Sequence, residues 1–166
     1  MMSRVTAKRS MSVVAWGVMG GFCGLTMAAP ADPLQIAGTY ECSGYDRHDG
    51  AYKGVLTLTT DESASHAEQG FGAYQLTFRV ETSAAPVTYS GYGAAKGQTL
   101  ALYFANDDAS AAKDYGIGLA TLTQDQDAQG TYTTTLHKSY YQPHYMNNGV
   151  AGRGTESCVK TVAGKA

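Results

Sequence analysis

Charged side chains are scarce in this 166-residue chain, where Asp, Glu, Lys and Arg together make up 16%. An average soluble domain carries roughly 25%, and a disordered, solvating segment carries more, so that class is set aside. Strong basic charge is also missing: twelve Lys and Arg stand against fourteen acids, a net of −2. Binding to nucleic acid rests on many cationic contacts to phosphate, and this balance excludes it. The chain has no GxSxG, no P-loop and no GxGxxG, and it lacks HExxH, His-x-His and paired-Cys spacings. Those absences point away from an enzyme, a bound cofactor or a metal centre. Beyond residue 31 there is no long apolar run, so no membrane span is expected in the mature chain.

What is present begins with an address. Arg4, Lys8 and Arg9 precede an uncharged stretch from Ser10 to Ala31, apolar over 11–27 and ending in Ala28, Ala29 and Ala31. A basic start, an apolar stretch and a small-residue site are the parts of a secretory signal peptide. The expectation is a signal peptide over 1–28 with cleavage between 28 and 31, then a single β-barrel domain over 32–166, periplasmic or secreted. An uncleaved anchor is the alternative, which Gly17, Gly20, Gly21 and Gly24 disfavour. Cleavage leaves nine basic against fourteen acidic residues, a net of −5. It also leaves two cysteines, Cys42 and Cys158. An even pair in an exported chain is most simply a disulfide; two buried thiols are the alternative.

Period-two alternation dominates from Gly38 onward. In Tyr74-Gln75-Leu76-Thr77-Phe78-Arg79-Val80-Glu81 one face is Tyr, Leu, Phe and Val, the mark of a half-buried strand. Seven further strands are predicted over 39–45, 54–60, 87–93, 99–105, 115–123, 131–138 and 154–160. Turn chemistry separates them at 46–50, 61–70, 83–86, 94–97, 106–114, 125–130 and 140–152. Helical turns are allowed within 62–69 and 110–113. The predicted fold is all-β: an eight-stranded antiparallel up-and-down barrel, with a β-sandwich as the alternative. A Cys42–Cys158 bridge favours closure, because it ties the first strand to the eighth.

In an up-and-down barrel, alternate loops share one end. Loops 46–53, 83–86, 106–114 and 139–153 gather Arg47, His48, Tyr140, Tyr141, His144, Tyr145 and Arg153 at one rim, the candidate ligand- or partner-binding residues. The segment His137–Asn148 is rich in tyrosine, which offers large contact area with a polar tip. It reads either as a plug folded over the mouth or as a contact surface. His48 and His144 fall at the same rim beside Asp46 and Asp49, but the spacing does not support a metal site. Which face of each strand points inward stays open.

Gly38-Thr39-Tyr40 resembles the lipocalin G-x-W motif with Tyr in place of Trp. Asp114-Tyr115 resembles the D-Y of T-D-Y, and Arg153 lies where the third lipocalin motif would fall. On these residues the chain resembles the calycin barrels, meaning lipocalins and avidins, among small secreted bacterial β-barrels. That resemblance implies a barrel with a small apolar ligand at its mouth. Tyr40-Glu41-Cys42, Cys158 and Ser90-Gly91-Tyr92 are similar to the periplasmic C-type lysozyme inhibitors. That second likeness implies a protein-binding module with a basic protein partner, which a charge of −5 would steer.

Overall fold

Side chains that alternate along each strand form the wall of a closed barrel. The computed structural model describes residues 32–111, 113–145 and 149–161; the predicted signal peptide lies outside the described residues. Eight strands follow in order: β1 Gly38–Asp46, β2 Gly50–Thr60, β3 Phe71–Val80, β4 Val87–Lys96, β5 Thr99–Asn106, β6 Tyr115–Gln126, β7 Tyr132–Tyr145 and β8 Val150–Lys160. Each pairs antiparallel with the next, and β8 returns to pair with β1. The barrel, and not the sandwich, is the fold. Single 3-10 turns at Ala67–Gln69 and Ala109–Ala111 occupy the loops where helical turns were allowed.

Local chemistry sets the hairpins. Between β4 and β5 the pair Lys96–Thr99 brackets Gly97 and Gln98. Gly97 has φ +59°, a left-handed backbone that the tightest hairpins need and glycine supplies without strain. Between β1 and β2 the Asp46 carboxylate accepts the backbone N–H of His48 at 2.7 Å, an Asx turn. Asp127 plays the same part between β6 and β7, accepting from Gln129 and Thr131 at 2.9 and 2.8 Å.

One predicted loop is not a loop. The tyrosine-rich segment expected as a turn over 140–152 continues the wall instead, with β7 running to Tyr145 and β8 starting at Val150. Period-two alternation persists: Gln142 is buried and Tyr141 exposed. The pairing shifts between Gln142 and Tyr145, where Pro143 sits. Proline has no N–H to give a ladder, and a bulge is where a strand tolerates it. Through residue 145 the segment is therefore wall rather than plug, while 146–148 lie outside the described residues.

Inside, one half of the barrel is packed. Tyr40, Leu58, Tyr74, Leu100 and Leu136 are fully buried, with Leu56, Leu76, Leu102 and Leu122 around them. The chain entering β1 closes that end: Ile36 is buried in the core, and Asp32 accepts the Tyr74 hydroxyl at 2.6 Å and the Ala37 N–H at 2.7 Å. Tyr40 donates its hydroxyl to the Ile36 carbonyl. Cys42 and Cys158 sit directly opposite across β1 and β8 and form a disulfide. Its 116-residue separation corresponds to about 4–5 kcal/mol in the chain-entropy account.

Candidate functional site

The other half of the barrel is open. A cup of about 620 Å³ lies at the end formed by the β1–β2 and β3–β4 connections, lined by residues that include Asp46, Asp49, Tyr52, Phe78, Val80, Tyr89, Phe104, Lys138, Tyr140, Gln142 and Tyr145. Six of these are aromatic, yet they do not fill the space, and the reason is on the neighbouring strands. Phe104 stands directly opposite Gly116, Tyr140 opposite Gly154 and Tyr52 opposite Gly44; Phe78 lies against Gly54. A Cβ added at Gly116 would come 2.5 Å from the Phe104 ring, and one at Gly54 would come 2.8 Å from the Phe78 ring. The Tyr140 and Tyr52 rings cover Gly154 and Gly44 in the same way. Each ring lies back on a bare stretch of wall, an arrangement known for aromatic–glycine pairs in sheets. The lumen stays clear.

At the floor of the cup sits a charge pair. Lys138 and Glu156 face each other across β7 and β8, with Nζ 2.7 Å from Oε1 and side chains only 7% and 0% exposed. Tyr52 donates to the other Glu156 oxygen at 2.8 Å. The ammonium also lies 4.7 Å from the Phe78 ring centroid, 5.4 Å from Tyr140 and 5.5 Å from Phe104. Ring faces attract cations, so three aromatics and one carboxylate together replace the water this lysine gave up.

Higher in the wall two buried carboxylates collect neutral donors. Asp114 accepts from the Tyr89 hydroxyl (3.0 Å), Asn106 Nδ2 (3.0 Å) and Gln142 Nε2 (2.9 Å). Asp46 accepts from the Tyr140 hydroxyl at 2.7 Å besides its turn N–H, and Asp49 accepts from Tyr145. These contacts hold phenolic protons in place. Burial first, and then the Glu156 charge, push the Tyr52 phenol well above the usual tyrosine range. Burial and Asp114 do the same to Tyr89, burial and Asp46 to Tyr140, and burial and Asp49 to Tyr145.

Of the candidate residues from the sequence, Tyr140 and Tyr145 line the cup. His48 stands behind Tyr145, its ring stacked on the phenol at 4.6 Å and its Nε2 donating to the Ala151 carbonyl at 3.0 Å. Arg47 and Arg153 are exposed and meet only through a backbone hydrogen bond of 3.0 Å. Tyr141 points outward, and His144 packs edge-on to Tyr115 on the outer wall. His48 and His144 thus face different tyrosines. The ligand-like cluster Cys42, Glu156 and Cys158 has both sulfurs joined to each other. Sequence reasoning missed Tyr52, Phe78, Tyr89, Phe104, Lys138 and Glu156. A usable signal existed: residues two and four before an inward Cys158 share its face, which makes Glu156 and Gly154 inward.

Two outcomes follow for stability. Lys138→Met leaves Glu156 buried without its partner and should cost about 3–5 kcal/mol in urea unfolding, whereas Lys138→Met with Glu156→Leu should recover most of it. Equal losses in the two variants would contradict the pairing. In alkali, the unfolded chain loses its phenolic protons near pH ~10 while the folded chain keeps them to higher pH. The unfolded state then binds fewer protons, so stability falls as pH rises above about 10. Tyrosinate absorbance from Tyr52, Tyr89, Tyr140 and Tyr145, and from the similarly raised Tyr40 and Tyr74, should appear only together with loss of the β-strand circular dichroism. Full ionisation of all twelve tyrosines in a still-folded barrel would refute this. No family model matches the chain and no curated protein sequence matches it, which leaves the geometry of the cup as the basis for function.

Proposed function

We propose that the protein is an exported carrier, a calycin-like barrel that holds one small, predominantly apolar molecule in its cup and performs no catalysis. The observation that carries this reading is the cup itself. Its volume of about 620 Å³ falls inside the 300–1,000 Å³ range usual for small-molecule sites. Its walls are rings laid back on glycines, so the space is built into the fold and is not a packing defect. Export is supported by the Cys42–Cys158 bridge, since such bridges persist in oxidising compartments, and by the basic, apolar and small-residue order of the first 31 residues. Among the described residues no helix is long and apolar enough to cross a membrane.

The test is binding of the neutral fluorescent reporter N-phenyl-1-naphthylamine. Val80 and Val87 face each other across β3 and β4 at the cup wall, so Val80→Trp should occupy the space and weaken reporter binding about tenfold or more. Absence of reporter binding to the unaltered protein would overturn the carrier reading.

A second reading, contact with a basic protein such as a lysozyme-type hydrolase, is favoured by the outer wall. Tyr92, Tyr103, Ile117 and Tyr141 are successive register partners from β4 to β7, and all are exposed. Contiguous exposed apolar surface of this kind often marks an interaction site. Asp107, held by Ser90 at 3.1 Å, flanks the row with negative charge. Hen lysozyme should co-elute with the protein at low salt, and Tyr103→Ser should abolish that complex. No complex at micromolar concentrations would remove this reading.

A further inference from the structure

Charge on the lining of the cup is unbalanced in one direction: Asp46, Asp49 and Glu81 against Lys138. The Lys138 ammonium at the floor is cancelled by Glu156. Above it, Asp46 and Asp114 are 3% and 0% exposed, and the hydrogen bonds they accept come from phenols, amides and backbone N–H groups. In every one of those contacts the carboxylate is the acceptor. Asp49 lines the cup from the β1–β2 turn, and Glu81 lines it from the end of β3. A balanced pair therefore forms the base, while Asp46, Asp49 and Glu81, from two separate connections, line the upper space, with Asp114 buried in the wall. A cleft with low-dielectric walls concentrates such a field in its opening. Asp49 accepts the Tyr145 phenol, and burial, that hydrogen bond and then the nearby carboxylates push the phenol up. What remains of the wall is aromatic, and the barrel already uses ring faces to hold one ammonium, that of Lys138.

We propose that the cup is selective for an organic cation, an amine or quaternary ammonium on an apolar body, over neutral or anionic molecules of the same shape. The nitrogen sits in the upper cup beside Asp46, Asp49 and Tyr145, and the apolar body lies against Phe78, Phe104 and Tyr89. The cavity makes the site, and the carboxylates set its ligand class. This assignment rests on the carrier reading and narrows it from an apolar molecule to a positively charged one.

The experiment compares three competitors against bound N-phenyl-1-naphthylamine: benzyltrimethylammonium, its neutral carbon isostere neopentylbenzene, and phenylacetate. The cation should displace the reporter at about tenfold lower concentration than its isostere, phenylacetate should not compete, and added salt should narrow the gap. Asp49→Asn and Glu81→Gln, both at exposed positions, should each shrink the cation-to-neutral ratio about threefold. Equal or tighter displacement by neopentylbenzene or phenylacetate overturns the cation assignment and leaves the carrier reading standing. Displacement by none of the three while the reporter binds has the same consequence. Failure of the reporter itself to bind overturns both.

Discussion

Where β8 meets β1, Cys42 faces Cys158, and that contact sets the parity of the whole interior. A disulfide between directly opposed residues of neighbouring strands puts both side chains on one face, and both are buried here. Once that face is inward, strict alternation carries it along each strand. On β1 it places Gly44 and Asp46 inside, and on β8 it places Glu156, Gly154 and Gly152 inside. Register passes it on: Cys158 faces Leu136, which puts Lys138 and Tyr140 on the inner face of β7. A slip of one residue would turn the core leucines outward and expose the ion pair, so closure and interior chemistry are a single constraint.

The same interior serves two purposes along its length. Below the disulfide it is filled by leucines and two tyrosines, and the entering chain with Ile36 caps it. Above, large rings alternate with glycines on adjacent strands, so the wall is apolar without the lumen being full. Burying Lys138, Glu156, Asp46 and Asp114 carries a desolvation cost that a leucine core would not. Each carboxylate among them is met by specific donors, and among the described residues no buried side-chain polar atom lacks a hydrogen-bond partner. A network of that kind fixes ring and carboxylate positions in advance, which lowers the ordering cost of the binding proposed for the cup.

Much of the fold was legible in the residues and much of the site was not. Alternation in 74–81 and 99–105 located strands because a pleated strand has one period, whatever its neighbours are. Asp and Gly clusters marked most of the hairpins. The segment 140–152 was misread because Tyr, Gln, Pro and Asn suit turns, while its alternation and the bulge at Pro143 keep it in the wall. Chain topology alone gathers the rim residues at one end, and the cup opens at that end. Of those seven, only Tyr140 and Tyr145 line the cup, since end and inward direction are separate properties.

By itself, then, the sequence determined an all-β chain of eight strands, two cysteines, Cys42 and Cys158, placed on the first and last of them, and the end of the barrel at which the connections rich in His, Tyr and Asp gather. Those properties depend on local period and chain order. Only the tertiary structure decided that Lys138 meets Glu156 beneath three rings, that four aromatics lie on glycines of other strands, and that Asp46 and Asp114 bring negative charge into an apolar wall. Such contacts join residues up to 104 positions apart, as Tyr52 joins Glu156. They exist because closing the sheet brings distant strands to neighbouring places on one inner surface.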